Sequence, residues 1–162
     1  MNIFDVHIKN GEVIDGTGAP KFKSDIVIDK GKIIGVFPAE NGDVRDPSEN
    51  HFLSNFKAKH TINAENKIIS PGFIDVHTHD DDNVFLDPSM SSKISQGVTT
   101  CVAGNCGISL APFSYKGEVP APIALLGKSE VFRFPRVSDY KEEFNNEPSS
   151  VNLALLTGHS ML

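Results

Sequence analysis

Residues 71 to 79 read Pro-Gly-Phe-Ile-Asp-Val-His-Thr-His, and residues 104 to 107 read Gly-Asn-Cys-Gly. In an extended strand, side chains two residues apart point to the same face, so His77 and His79 can both reach one metal ion. Cys106 follows the next apolar segment, and a thiolate is a favourable soft ligand for zinc. The two motifs therefore predict a metal site built from His77, His79 and Cys106 at the ends of neighbouring strands.

Acidic residues and one further histidine lie close to these candidate ligands in the sequence. Asp75 shares the face of the two histidines, and we expect it to accept a hydrogen bond from a ligand imidazole and so fix its tautomer. The run from Asp80 to Asp82 is interpreted as a solvated acidic loop, with an additional oxygen ligand as the alternative. His159 follows the third predicted strand, where a pocket-lining role and a structural role are both open.

The two cysteines, Cys101 and Cys106, are predicted to be free thiols. Five residues of extended chain span ~16 Å, which exceeds the ~7 Å that a disulfide tolerates between Cα atoms. Cys101 falls inside an apolar segment and is interpreted as an inert buried thiol. The remaining histidines are predicted to lie on the surface, and they are His7, His51 and His60.

Composition narrows the class of protein. The 162 residues are 39% hydrophobic and 22% charged, values typical of an ordinary globular protein. The net charge of −6 and the absence of a basic block argue against a nucleic-acid partner. No apolar run is long enough to span a bilayer, and the first residues lack the pattern of a secretory signal, so neither a membrane partner nor export is expected. The expected location is the cytoplasm.

Hairpin signals dominate the first 70 residues. Residues 4–9 alternate between apolar and polar side chains, and Asn10-Gly11 predicts a two-residue turn. Residues 39–60 lose this periodicity and are interpreted as a surface loop or insertion. Further short strands are predicted at residues 12–15, 25–29, 32–37, 61–64 and 67–70, with a turn at Lys30-Gly31 between the second and the third of them. This pattern predicts a small β-domain over residues 1–70, a β-meander that forms part of a β-sandwich.

Strands and helices alternate after Pro71, which predicts an α/β fold. The apolar segment 73–77 is typical of a strand in a parallel sheet covered on both faces. Asp87-Pro88 is interpreted as a helix start that ends at Gly97, and Ser138 as the cap of a helix over residues 138–144. Two more strands are predicted at residues 98–103 and 151–157.

These residues resemble the amidohydrolase superfamily and, within it, the N-acyl-D-amino-acid deacylases (D-aminoacylases). Six segments carry the resemblance, namely residues 71–79 and 97–100 for the superfamily, and 15–20, 79–81, 104–112 and 157–160 for the deacylases. The resemblance implies a small β-domain beside a distorted (β/α)8 barrel with zinc (Zn²⁺) at the carboxyl ends of its strands. Residues 71–162 would then supply the first three strands of an incomplete metal-dependent barrel.

The same resemblance implies a reaction. His77 and His79 look like ligands of a weakly held metal, and Cys106 like the ligand of the tighter zinc. The reaction implied is zinc-dependent hydrolysis of N-acyl-D-amino acids to a carboxylate and a D-amino acid. The general-base aspartate is expected beyond Leu162, so the 162 residues alone are expected to be inactive. The alternatives are another amidohydrolase, such as a cyclic-amide hydrolase, and a non-catalytic truncated domain that binds a partner or a metal.

Overall fold

The computed structural model describes residues 2–38 and 56–162. These residues divide into a first unit that ends at Pro71 and a second unit that begins at Gly72. Most of the predicted irregular segment, residues 39–55, lies outside the described residues. Its last five residues belong to a strand, because the backbone from Phe56 onward pairs with the N-terminal strand.

The first unit is a mixed β-sheet. Its strands are β1 (Asn2–Val13), β2 (Phe22–Asp29), β3 (Lys32–Pro38), β4 (Phe56–Asn63) and β5 (Ile68–Ile69). The order is β3-β2-β1-β4, with β5 also paired to β1. The first three strands are antiparallel and form the predicted meander, whereas β4 and β5 run parallel to β1. Val13, Ile26 and Val27 are buried in this sheet.

The hairpin predicted at Asn10-Gly11 is wrong, because both residues lie within the continuous strand β1. Between Ile8 and Gly11 the register with β2 shifts by one residue, which is a β-bulge. Asn10 takes a φ of 63°, and its N–H donates to Asp25 Oδ1 at 2.9 Å. A Cβ at Gly11 would lie 2.2 Å from the Ile69 side chain. The left-handed residue and the small residue therefore serve a bulge and a close contact.

The turn predicted at Lys30-Gly31 is confirmed. The two residues have φ values of 50° and 72°, as a tight turn between antiparallel strands requires, and they join β2 to β3.

His7 was predicted to lie on the surface and is mostly buried. Its Nε2 lies 2.7 Å from Asp25 Oδ2, and 12% of its side chain is exposed. His60 is exposed as predicted, and His51 lies outside the described residues.

The second unit contains a three-stranded parallel sheet. Its elements are the strands β6 (Phe73–Asp75), β7 (Val98–Ala103), β8 (Phe113–Ser114), β9 (Arg133–Phe134) and β10 (Asn152–Leu155), and the helices α1 (Asn83–Leu86), α2 (Ser91–Ile94) and α3 (Val137–Asn146). The parallel sheet has the order β10-β7-β6, and β8 pairs with β9 separately. None of the helices within residues 2–38 and 56–162 has the length and apolar character needed to cross a membrane.

Both predicted helix starts need correction. Asp87 ends α1, and the next helix begins at Ser91, because residues 87–90 form a turn in which the Met90 N–H donates to the Asp87 carbonyl. Helix α3 begins one residue before Ser138, and Asp139 caps it by accepting the Arg136 N–H. The predicted stop at Gly97 is confirmed by its φ of 81° and its hydrogen bond to the Ile94 carbonyl.

Strand β6 is shorter and more exposed than predicted. The ladder with β7 ends at Asp75, and the side chains of Phe73, Ile74 and Val76 are 58%, 61% and 69% exposed. The expected cover on both faces is therefore missing among the described residues. Because β6 pairs only with β7 there, it is an edge strand of this sheet.

Aromatic side chains fill the core of the second unit. Phe85, Phe134 and Tyr140 form a cluster with ring centroids 5.0 to 5.8 Å apart. Tyr140 is 2% exposed, and its hydroxyl donates to the Asp81 carbonyl at 2.6 Å. Burial raises the pKa of Tyr140 above its ordinary value. This hydrogen bond joins α3 to the segment that follows the two histidines.

We expect Tyr140→Phe to lower the free energy of unfolding by about 1–3 kcal/mol, because a buried carbonyl loses its partner. Tyr115→Phe is the matched control, since its hydroxyl makes an exposed bond to the Glu118 carbonyl and its loss should cost no more than ~0.5 kcal/mol. Urea unfolding of both variants measures the difference. Equal losses would show that the Tyr140 hydroxyl does not support this segment.

Candidate metal centre

Three of the predicted site residues come together. One ligand atom from each of His77, His79 and Cys106 lies within 4.8 Å of the others. His77 Nε2 is 3.1 Å from Cys106 Sγ, and the two imidazole centroids are 5.8 Å apart with their planes at 73°. His77 and Cys106 are exposed and His79 is half-buried. Both cysteines are free thiols, as predicted.

The two histidines lie in the loop between β6 and α1, residues 76–82, which we call the histidine loop. The strand ends at Asp75, so the histidines are not presented by the simple alternation of an extended strand. The Thr78 N–H donates to the Val102 carbonyl at 3.2 Å, and Thr78 is buried between the two histidines. This contact anchors the middle of the loop to β7 and leaves the residues on either side to face the cysteine.

Cys106 lies in the loop directly after β7, residues 104–107, which we call the cysteine loop. Three of its residues have a left-handed backbone conformation. Gly104, Cys106 and Gly107 have φ values of 79°, 57° and 77°. Glycine adopts this conformation without steric penalty, whereas at Cys106 it costs free energy. The Asn105 side chain donates to the Val102 carbonyl at 2.7 Å and to the Thr78 carbonyl at 3.4 Å. One amide thus ties the cysteine loop to the histidine loop.

Lys93 is the residue near the site that sequence reasoning missed. Its ammonium group lies 2.7 Å from Asp75 Oδ2, 2.9 Å from Asp80 Oδ2 and 3.3 Å from Thr78 Oγ1. Burial opposes its charge, but the two carboxylates outweigh that effect and raise the pKa of Lys93. A lysine in a short helix carries no motif, so only the three-dimensional contacts reveal it.

Asp75 supports His77 through the main chain. Its Oδ1 accepts the His77 N–H at 3.2 Å, and its Oδ2 pairs with Lys93. The hydrogen bond from Lys93, followed by that from the His77 N–H, holds the pKa of Asp75 below its ordinary value. The expected hydrogen bond to a ligand imidazole is therefore replaced by contacts to a main-chain amide and an ammonium group.

The interpretation of residues 80–82 as a solvated acidic loop is wrong. Asp81 is 0% exposed, and Asp82 is buried beside Arg133 at 3.6 Å. Burial raises the pKa of Asp81, and the nearby N–H of Gly104 offsets the rise only in part, without forming a hydrogen bond of normal geometry. Among the described residues, both Asp81 carboxylate oxygens and His79 Nδ1 lack a hydrogen-bond partner.

His159 stands apart from the three candidate ligands. It is exposed and begins a 3₁₀ turn over residues His159–Met161. The next residue, Ser160, donates its N–H to the Gly107 carbonyl at 2.9 Å, so this turn contacts the cysteine loop. Among the described residues, the group of converging ligand atoms does not include His159.

Comparison with known protein families assigns the chain to one of them. A model of the amidohydrolase family matches residues 60–162, which is more than half of the chain. The chain belongs to the amidohydrolase family. This assignment covers all three candidate ligands, both loops that carry them and Lys93.

The sequence is also similar to individual curated proteins, which are deacylases. The chain is 39% identical over 160 residues to D-aminoacylase and 38% identical over 158 residues to N-acyl-D-aspartate deacylase, both of Alcaligenes xylosoxydans xylosoxydans. Each alignment includes 98% of this chain. The chain spans about 30% of the length of these curated relatives.

Solved structures show the same likeness. A D-aminoacylase structure matches with a TM-score of 0.83 and 44% identity, over 98% of this chain and 30% of that protein. An N-acyl-D-glutamate deacylase from Bordetella bronchiseptica, solved with zinc and a phosphonate inhibitor, matches with a TM-score of 0.82 and 38% identity. That match covers 99% of this chain and 30% of the deacylase.

Gly104 offers a direct test of the cysteine loop. A Cβ there would lie 2.0 Å from the Leu156 carbonyl oxygen, whereas a Cβ at Gly16, with a similar φ of 84°, meets nothing within 4 Å. Gly16→Ala should cost about 1–2 kcal/mol of unfolding free energy, from backbone strain alone. Gly104→Ala should cost a further ~1–3 kcal/mol, because the backbone must move. Equal losses in denaturant unfolding would contradict the close approach of Gly104 to the Leu156 backbone.

Proposed function

We propose that this chain forms part of a zinc-dependent deacylase that hydrolyses the amide bond of N-acyl-D-amino acids, releasing a carboxylate and a D-amino acid. The observation that carries the proposal is the convergence of His77, His79 and Cys106. It occurs in a chain that is 39% identical to a D-aminoacylase and 38% identical to an N-acyl-D-aspartate deacylase. The small-molecule substrate class follows from these relatives.

The fold proposed for the second unit is the beginning of a (β/α)8 barrel. Its three main strands are parallel, and helical segments lie between them in the sequence. The candidate ligands follow the carboxyl ends of β6 and β7, which is the end of a parallel barrel where active sites form. The exposed Phe73 and Ile74 on β6 agree with a strand that gains further neighbours in a closed barrel.

The donor set fits zinc. Two imidazoles and one thiolate are ligands that zinc favours, and an open fourth position is typical of a catalytic site. Donor atoms on one tetrahedral zinc lie about 3.5 Å apart. His77 Nε2 and Cys106 Sγ are 3.1 Å apart, and the three donor atoms all lie within 4.8 Å of one another. Related structures support a divalent metal, since a D-aminoacylase has a binuclear metal centre and the N-acyl-D-glutamate deacylase carries zinc.

The residues of this chain would hold and orient the metal. His77, His79 and Cys106 would provide its ligands, and the left-handed turn at Cys106 would aim the thiolate across to the histidine loop. Asp75 would fix the main chain at His77 through its hydrogen bond. Zinc held by these residues would supply the chemistry that amide hydrolysis at neutral pH requires, namely polarisation of a carbonyl group and a lowered pKa of a water molecule.

Metal binding by the 162-residue chain can be tested with two matched cysteine variants. Co²⁺ can replace zinc and reports a thiolate ligand by its charge-transfer absorption. We expect Cys106→Ala to abolish this absorption and to weaken Co²⁺ binding by at least about tenfold, because it removes one ligand. Cys101→Ala should keep both, since Cys101 is buried in the core. A band that survives in Cys106→Ala would contradict the proposed ligand set.

Activity can be tested in a chimera in which this chain replaces the matching 30% of D-aminoacylase. We expect the zinc-loaded chimera to release D-amino acids from N-acyl-D-amino acids and to leave the L-enantiomers intact. His77→Ala in the chimera should remove this activity. The 162-residue chain with zinc is the control, and we expect it to release no D-amino acid.

Two outcomes of the chimera experiment would contradict the proposal. One is a folded, metal-loaded chimera that cleaves neither enantiomer. The other is release of D-amino acid by the 162-residue chain alone, which would show that His77, His79 and Cys106 need no ligands from elsewhere.

A further inference from the structure

One ammonium group joins the two sides of the histidine loop. Asp75 precedes His77 and Asp80 follows His79, and the Lys93 ammonium contacts both carboxylates, at 2.7 and 2.9 Å. Its third contact, at 3.3 Å, is to the hydroxyl of Thr78, the residue between the two histidines. The three N–H donors of a lysine thus match three oxygen acceptors distributed over the six residues from Asp75 to Asp80.

We propose that Lys93 is a positioning residue that sets the spacing of His77 and His79 for metal binding. The inference rests on the proposed metal centre, and it assigns to Lys93 a role through Asp75 and Asp80. Lys93 would not touch the metal or the substrate. Its effect on His77 passes through Asp75, which accepts the His77 N–H at 3.2 Å. Its effect on His79 passes through Asp80, the next residue in the chain.

The contacts favour positioning over a general surface ion pair. The Lys93 side chain is 21% exposed, and those of Asp75 and Asp80 are 29% and 17% exposed. Exposed ion pairs contribute little because solvent screens them and both side chains stay mobile. Here the three groups are largely shielded, and Thr78 adds a main-chain anchor to β7 through its N–H. The ammonium therefore links Asp75, which precedes the two histidines, to Asp80, which follows them.

Positioning and simple electrostatics predict opposite effects on metal binding. A positive charge near the site repels a divalent cation, so its removal by itself should tighten binding. If Lys93 holds the loop, its removal leaves Asp75 and Asp80 without a common partner and lets the imidazoles move apart. The affinity for the metal should then fall. The sign of the change distinguishes the two roles.

The experiment is a Co²⁺ titration of the parent chain, Lys93→Met, Lys93→Arg and Arg133→Met. Methionine keeps the length of the side chain and removes the charge, and arginine keeps the charge. Arg133 is the matched control, because it also contacts two carboxylates, Asp82 and Glu143, and neither contact closes the histidine loop. The readouts are the Co²⁺ affinity, the thiolate absorption and, separately, the free energy of unfolding.

We expect Lys93→Met to weaken Co²⁺ binding by about ten- to a hundredfold and to reduce the thiolate absorption, as observed when groups that orient metal ligands are removed. Lys93→Arg should recover most of the affinity. Arg133→Met should lower stability while the folded protein binds Co²⁺ as the parent does. Equal or tighter binding by folded Lys93→Met would overturn the inference, as would equal weakening in Arg133→Met.

Asp80→Asn provides a second route if Lys93→Met does not fold. It removes one of the two carboxylates that Lys93 contacts, and it should reduce the thiolate absorption of the Co²⁺-saturated protein, which loss of a negative charge alone would not change. An unchanged thiolate absorption in folded, saturated Asp80→Asn would overturn the inference. A parent chain without Cys106-dependent absorption would overturn the metal centre and this inference together. A normal band in the parent that Lys93→Met leaves unchanged overturns the role of Lys93 alone.

Discussion

Parallel pairing of β6, β7 and β10 determines where the polar side chains of the second unit lie. Because parallel strands share one carboxyl edge, the loops after Asp75, Ala103 and Leu155 emerge together. The hydrogen bond from the Thr78 N–H to Val102 extends this pairing beyond the end of β6, and the Asn105 amide joins the cysteine loop to the histidine loop. The convergence of the two histidines and the cysteine is thus a consequence of sheet topology, reinforced by one main-chain hydrogen bond and by the Asn105 side chain.

The histidine loop and the cysteine loop both contain features that cost folding free energy. Cys106 has a left-handed φ without being glycine, and Asp81 is a fully buried carboxylate whose oxygens lack partners among the described residues. Conformations and buried groups of this kind persist only where the surrounding structure holds them, and they concentrate at functional sites. The Tyr140 hydroxyl donates to the main-chain carbonyl of Asp81, and this contact with the core of the second unit helps to hold the residue in place.

Sequence patterns predicted the features that depend on local chemistry. The turn at Lys30-Gly31, the stop at Gly97 and strand β7 all follow from backbone preferences or from an apolar run, and the structure confirms each. The grouping of His77, His79 and Cys106 could also be predicted, because parallel strands end at one edge, although the histidines lie in a loop and not on the strand from which they were predicted. The ligand motifs are short and lie beside such strand ends.

The predictions that were wrong or missing concern features that depend on contacts between residues distant in sequence. Asn10-Gly11 has the preferences of a tight turn, but Asp25 and Ile69 hold it within a strand as a bulge. A run of three aspartates predicts that Asp81 is solvated. In the structure it is buried, with Tyr140 and the loop at Gly104 beside it. Lys93 belongs to the same group. Its three partners lie 13 to 18 positions earlier in the chain, so its role becomes visible only when α2 is placed beside the histidine loop.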